Sequence, residues 1–187
     1  MSLIKIALAG EGGQGVQAVA AIITEAAHED GREVLYIPNF GVEQRGGVSI
    51  AFVQIADEQI RAPKFQKGDI VIALSDRAVI RTQQYVDENT IFVYDSGITG
   101  IENYLPQKAK RVLNIPAVEV SRTELHPRVF NVIILGAVIK ATGVINENDA
   151  KNALELKLGH KFEQDPNLRA LNFQALQRGM QLVERAI

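Results

Sequence analysis

A glycine cluster set between two apolar runs of different period constrains this chain more than any other feature. Residues 4–9, Ile-Lys-Ile-Ala-Leu-Ala, are almost wholly apolar and stop at Gly10. Short apolar runs ended by glycine are the pattern of strands buried in a parallel sheet. From Val16 the period changes. Val16, Val19, Ala20, Ile23, Ala26 and Ala27 recur at helical spacing, and Gly31 follows as a stop. Residues 34–37 form the next strand, closed by Pro38. Strand, glycine loop, helix and strand make a βαβ unit, which predicts a right-handed crossover in a parallel sheet.

Further on, residues 48–55 read as a strong strand, residues 56–59 as a turn, and Ile60 as the start of a short return strand, giving an antiparallel hairpin. Residues 70–74 form another buried strand, leading through the helix N-cap pair Ser75-Asp76 into a helix near 78–86. Strands follow at 91–94 and 111–115. Helices are expected at 129–142, 146–158 and 168–187, the last announced by Asp165-Pro166. The expected fold is a single Rossmann-like α/β domain over residues 1–187. It has a mostly parallel sheet, an antiparallel hairpin and a helical C-terminal part.

With 47% hydrophobic and 22% charged residues, the chain is an ordinary globular one. Its net charge is −2 and its basic residues are scattered, so nucleic acid is not an expected partner. No apolar run approaches the length of a membrane span, and no basic-then-apolar leader precedes Ile4, so a cytoplasmic location is expected. There is no cysteine, which excludes a thiolate nucleophile and a cysteine-held zinc or iron–sulfur cluster. His28, His126 and His160 stand far apart with no second ligand at metal spacing. Ser49, Ser75, Ser96 and Ser121 lack a nucleophile-elbow context. Asp95-Ser96-Gly97 reads first as a turn at a strand end, and it could line the C-terminal edge of the sheet.

Gly10-Glu11-Gly12-Gly13-Gln14-Gly15 fits G-x-G-x-x-G in the strand-to-helix context that the motif requires. The glycines let a ligand approach the backbone, and the helix start offers unpaired N–H groups to an anion. The plainer alternative is a tight turn that binds nothing. A dinucleotide site would also need an acid at the end of the second strand for the ribose, and Ile37-Pro38-Asn39 stands there instead. A second unusual stretch runs from Phe40 to Ser49, with Arg45 beside Gly46 and Gly47. An arginine at a strand mouth can present a planar fork of donors to a phosphate or carboxylate. A solvated turn with a surface arginine is the bland reading of the same residues. Both loops follow strands at their C-terminal ends, where open α/β sheets place ligands.

Taken together, Gly-x-Gly-Gly-Gln-Gly-Val at 10–16 and Phe-Gly-x-Glu-x-Arg-Gly-Gly-x-Ser at 40–49 resemble the gamma subunit, or gamma domain, of the 2-oxoacid:ferredoxin oxidoreductases. The strand at 69–74 and the apolar helix with Asn131, Leu135, Gly136 and Ala137 are similar to that family too. The resemblance implies oxidative decarboxylation of a 2-oxoacid to an acyl-CoA by a heteromeric complex that passes electrons to ferredoxin. Thiamine diphosphate, magnesium and iron–sulfur clusters would sit on other subunits, and this chain alone would bind no cofactor and be inactive. Its implied role is that of an accessory subunit in assembly and in binding coenzyme A. Gly10, Gly12, Gly13, Gln14, Gly15, Arg45, Gly46 and Gly47 would be the binding residues, with no catalytic or metal-ligating residue on this chain. Its implied partners are the thiamine-binding and iron–sulfur subunits, docking on the hairpin at 48–60 or on the C-terminal helices. Two alternatives remain: a stand-alone dinucleotide-binding oxidoreductase, and an interaction module whose glycine loops only pack against partners.

Overall fold

A computed structural model describes residues 3–40 and 47–184. The elements run β1 Ile4–Glu11, α1 Val16–Glu29, β2 Glu33–Asn39, β3 Val48–Ala56, β4 Ile70–Ala73, α2 Asp76–Thr82, β5 Ile91–Asp95 and β6 Arg111–Ile115. Four helices follow: α3 Ala117–Glu124, α4 Phe130–Thr142, α5 Glu147–Gln164 and α6 Pro166–Glu184. The strands form one six-stranded sheet in the order β2-β3-β1-β4-β5-β6. Strands β1, β4, β5 and β6 pair in parallel. Strand β3 runs antiparallel to both of its neighbours, β1 and β2.

The α/β class and the mostly parallel sheet agree with expectation, but two details of the N-terminal half do not. Strands β1 and β2 point the same way, yet β3 lies between them, so the βαβ unit spans a gap instead of joining neighbours. The antiparallel element is β3 itself, returning from β2, and no return strand forms at Ile60. Residues 57–68 lie across one face of the sheet. The buried Gln54 donates from Nε2 to the Ala62 carbonyl at 2.8 Å, and the Phe65 ring meets Phe52 edge-on at 5.5 Å. With those ties made, the segment contributes no ladder. The helix expected near 78–86 is shorter, passing into a 3-10 turn at Gln83–Tyr85, and α3 and the full length of α5 exceed what the sequence patterning suggested.

Alternation along the strands builds two cores. Ile6 and Leu8 of β1, with Val53, Ile55 and Ile72, face α1 and the C-terminal helices. Ala7 and Ala9, with Val71, Ala73 and Phe92, face Ala78 and Val79 of α2. The second face carries the thinner layer. Helix α4 has eight consecutive buried residues, Val132 to Ile139, because it is surrounded by the sheet and the other helices. A helix apolar on every side is an interior one.

Its closest approach is to α6, where two glycines meet backbone. A Cβ on Gly136 would collide with the Leu176 carbonyl oxygen, and one on Gly179 with the Ile133 carbonyl oxygen. Neither obstacle is a side chain that could swing away. Alanine is the better helix former by about 1 kcal/mol, but separating two packed backbones costs more. Gly136→Ala and Gly179→Ala should each lower stability by about 1–3 kcal/mol, measured by denaturant unfolding.

Candidate functional site

The glycine loop is folded by its own glutamine. Gln14 Oε1 accepts from the Glu11 backbone N–H at 2.7 Å, and Gln14 Nε2 donates to the Leu74 carbonyl, at the end of β4, at 2.7 Å. The Gln14 backbone N–H closes the turn on the Glu11 carbonyl at 3.1 Å. Gln14 is thus a brace between β1 and β4, with both ends of its amide engaged. The glycines divide into two kinds. Gly10 lies under the brace, where a Cβ would stand 2.7 Å from Gln14 Oε1 and 2.8 Å from Val16 Cγ2. Gly15 has φ 75° and caps α1, and a Cβ there would run into the Asn131 amide. Among the described residues a Cβ on Gly12 or Gly13 would meet nothing within 4 Å, though Gly13 has φ 90°. Gly12 and Gly13 therefore form the open rim, directly before the amides of the first turn of α1 that lack intrahelical acceptors.

The second loop ends beside the first and starts one strand away. Glu11 pairs with Val48 and Gly10 with Ser49 in the β1–β3 ladder, while Asn39 pairs with Ile50 across β2–β3. Phe40 is exposed and Gly47 half-buried. Arg45 and Gly46 lie outside the described residues. Beneath the loop ends runs a polar chain that sequence reasoning missed. The Tyr36 hydroxyl donates to Gln17 Oε1, Gln17 Nε2 donates to Ser49 Oγ at 2.6 Å, and Ser49 Oγ donates to the Asn39 carbonyl at 3.5 Å. Burial pushes the Tyr36 pKa up, so the hydroxyl keeps its donor hydrogen. These positions carry ordinary polar residues with no motif spacing, and only the inserted β3 brings them together.

On the other flank of the glycine loop an open cleft of about 340 Å³ is lined by Gln14, Ser75, Asp76, Asp95 and Thr99, among others. Helix α1 leaves β1 on one face of the sheet, and α2 leaves its neighbour β4 on the other. That divergence is the switch point at which open α/β sheets bind ligands. The turn at Asp95-Ser96-Gly97 lines the cleft as well as reversing the chain. Asp95 is 2% exposed, and its carboxyl accepts from the Gly97 and Val118 N–H groups at 2.9 and 2.8 Å. Ser75 Oγ caps α2 through the Ala78 N–H at 3.2 Å. Among the described residues no lysine or arginine lines this cleft, although Arg77 of α2 stands 3.9 Å from Glu11 beside it. Its two carboxyl groups make it a poor seat for a phosphate. Among the described residues no group of three His, Cys, Asp or Glu could hold a metal ion, and no helix is long and apolar enough to cross a membrane.

Comparison with known proteins is decisive at this point. The family model for pyruvate ferredoxin/flavodoxin oxidoreductase matches residues 5–182. The chain belongs to this family. It is 32% identical over 168 residues to the pyruvate/ketoisovalerate oxidoreductases common subunit gamma of Pyrococcus furiosus, covering 85% of this chain and 91% of that one. It is 30% identical over 171 residues to ketoisovalerate oxidoreductase subunit VorA of Methanothermobacter thermautotrophicus, covering 90% of this chain but 35% of VorA. The chain thus spans about a third of the length of that longer relative. Among solved structures it superposes with a TM-score of 0.88 and 26% identity on 2-oxoglutarate:ferredoxin oxidoreductase from Magnetococcus marinus with 2-oxoglutarate, coenzyme A and succinyl-CoA bound. That superposition covers 99% of this chain and 32% of the other. The resemblance drawn from the two loop motifs is borne out at the level of family and fold.

Within this family member the loop glycines should separate by role in a thermal-unfolding series. Gly12→Ala should leave stability within about 0.5 kcal/mol of the parent, as for a surface change. Gly13→Ala should cost about 1–2 kcal/mol for its left-handed backbone alone. Gly15→Ala should cost more than Gly13→Ala, because the Asn131 collision adds to the same strain.

Proposed function

We propose that this chain is the gamma unit of a multi-subunit 2-oxoacid:ferredoxin oxidoreductase, and that its two loops hold the phosphate groups of coenzyme A. The observation that carries the site is the ladder between β1 and β3, which brings the glycine loop and both ends of the second loop to one edge of the sheet. The amides at 12–16 would give direction, and Arg45 with Gly46 and Gly47 would supply charge and close backbone approach. Family membership supports the reaction class, and the Magnetococcus relative with coenzyme A bound supports the ligand. We read residues 1–187 as a single unit of this kind, in line with the family match over 5–182.

The chain has no cysteine, so an iron–sulfur cluster does not fit its residues. In this reading thiamine diphosphate and the clusters belong to partner subunits, which supply the decarboxylation and electron-transfer chemistry. This chain's share is to bind and orient the acyl acceptor. The dinucleotide alternative lacks the acid at Asn39. It also meets β3 standing between β1 and β2, so the end of β2 is one strand further from the glycine loop than in a Rossmann pair.

In the assembled enzyme, Arg45→Ala should weaken coenzyme A binding by about 1.5–3 kcal/mol, roughly tenfold or more. Steady-state kinetics should show a raised KM for coenzyme A and an almost unchanged KM for the 2-oxoacid. An equal rise in both would assign Arg45 to assembly, and no change would make it an ordinary surface residue. The purified chain by itself should not decarboxylate any 2-oxoacid. Turnover by the isolated chain would overturn the division of labour proposed here.

A further inference from the structure

The polar chain beneath the ends of the second loop ties α1 to β2 and β3, which the backbone ladder joins only to each other. Gln17 is the second residue of α1, two positions beyond the glycine cap Gly15. Its backbone N–H is one of the amides that a helix start leaves without an intrahelical acceptor. Its side chain reaches the other way. Oε1 accepts from Tyr36 of β2, and Nε2 donates to Ser49 of β3 at 2.6 Å. Ser49 in turn points its hydrogen toward the Asn39 carbonyl at the far end of the same loop. That bond fixes the orientation of the Gln17 amide, since a serine donating to Asn39 must accept from Gln17. One residue therefore carries a ligand-facing amide of the first loop and clasps both ends of the second.

We propose that Gln17 is a positioning residue that holds Ser49, and through it Asn39, against the start of α1, so that the ends of the second loop and the helix-start amides keep one register at the phosphate site. This rests on the coenzyme A reading above. The bond Gln17–Ser49 sets the distance between the first turn of α1 and the ends of β2 and β3. Loosening it leaves the Gln14 brace and the β2–β3 ladder in place but removes their common register. The effect falls on the substrate that spans the loops and spares the one that does not.

The test uses the assembled oxidoreductase with Gln17→Ala, Ser49→Ala and the double variant, alongside Arg45→Ala. Each single change should raise the KM for coenzyme A by about five- to tenfold, the worth of the shared Gln17–Ser49 hydrogen bond, with little change in the KM for the 2-oxoacid or in kcat at saturating coenzyme A. The double variant should be no worse than either single one, because both remove the same bond. Equal rises in both KM values, additive effects, or an unchanged KM for coenzyme A would overturn the proposal. Should Gln17→Ala fail to assemble, Ser49→Ala carries the same test without touching the helix. If Arg45→Ala raises the KM for coenzyme A and the Gln17 and Ser49 variants do not, the coupling fails and the proposed function stands. If none of them moves it, the functional reading falls as well.

Discussion

Eight residue pairs, from Ile4 with Ile55 to Glu11 with Val48, hold β3 antiparallel against β1. The arrangement of everything at the C-terminal edge of the sheet follows from that ladder. A parallel neighbour would carry its own loop onward from this edge and send the chain back through a crossover helix. An antiparallel one begins here, so the loop from β2 must end where the glycine loop starts. The same insertion displaces β2 to the outside of the sheet, where Pro38 costs no ladder bond to a further strand. It also leaves room for the Tyr36, Gln17 and Ser49 side chains to meet beneath the rim.

The β4–β5 side of the rim carries charges of both signs. Asp76 and Asp95 line the cleft there, and Arg77 of α2 stands 3.9 Å from Glu11 of the glycine loop. Like charges about 5 Å apart near a protein surface repel by about 3 kcal/mol at an effective dielectric of 20. That is as large as the whole attraction expected from one charge-assisted hydrogen bond, so carboxyl groups this close weigh against an anion as heavily as a single cation weighs for it. Asp95 has a structural task of its own, since its two oxygens hold the turn after β5 and the start of α3.

Much of this was legible in the sequence because local chemistry forced it. The apolar run stopped at Gly10, the period change at Val16 and the Ser75 cap each determine a local outcome, and the structure has a strand end and two helix starts there. The place of β3 was not legible. A strand with apolar residues on both faces reads the same whichever way it runs, so residues 48–55 gave no sign of their direction or neighbours. Helix α3 was missed because it is short and only Ala117, Val120 and Ser121 are buried, too few for a clear period. The contacts of Gly136 with Leu176 and of Gly179 with Ile133 join distant parts of the chain, and neither glycine shows from its flanking sequence that a carbonyl presses on it. In the candidate site, sequence context identified the open glycines, whereas Gln14 turned out to be a brace between two strands, a role that no spacing rule announces.

The emptiness around Gly12 has a practical use in a chain without cysteine. Among the described residues a Cβ there meets nothing within 4 Å, and it faces no left-handed backbone penalty. Gly12→Cys would therefore place a single thiol at the mouth of the crevice, unique in the chain for attaching a fluorophore or spin label. The start of α1 lies beside it, and a helix start lowers the pKa of a neighbouring thiol, favouring the reactive thiolate. The field suited to an anionic ligand would thus speed the labelling, and the rate of modification would become an optical gauge of whether the crevice is filled.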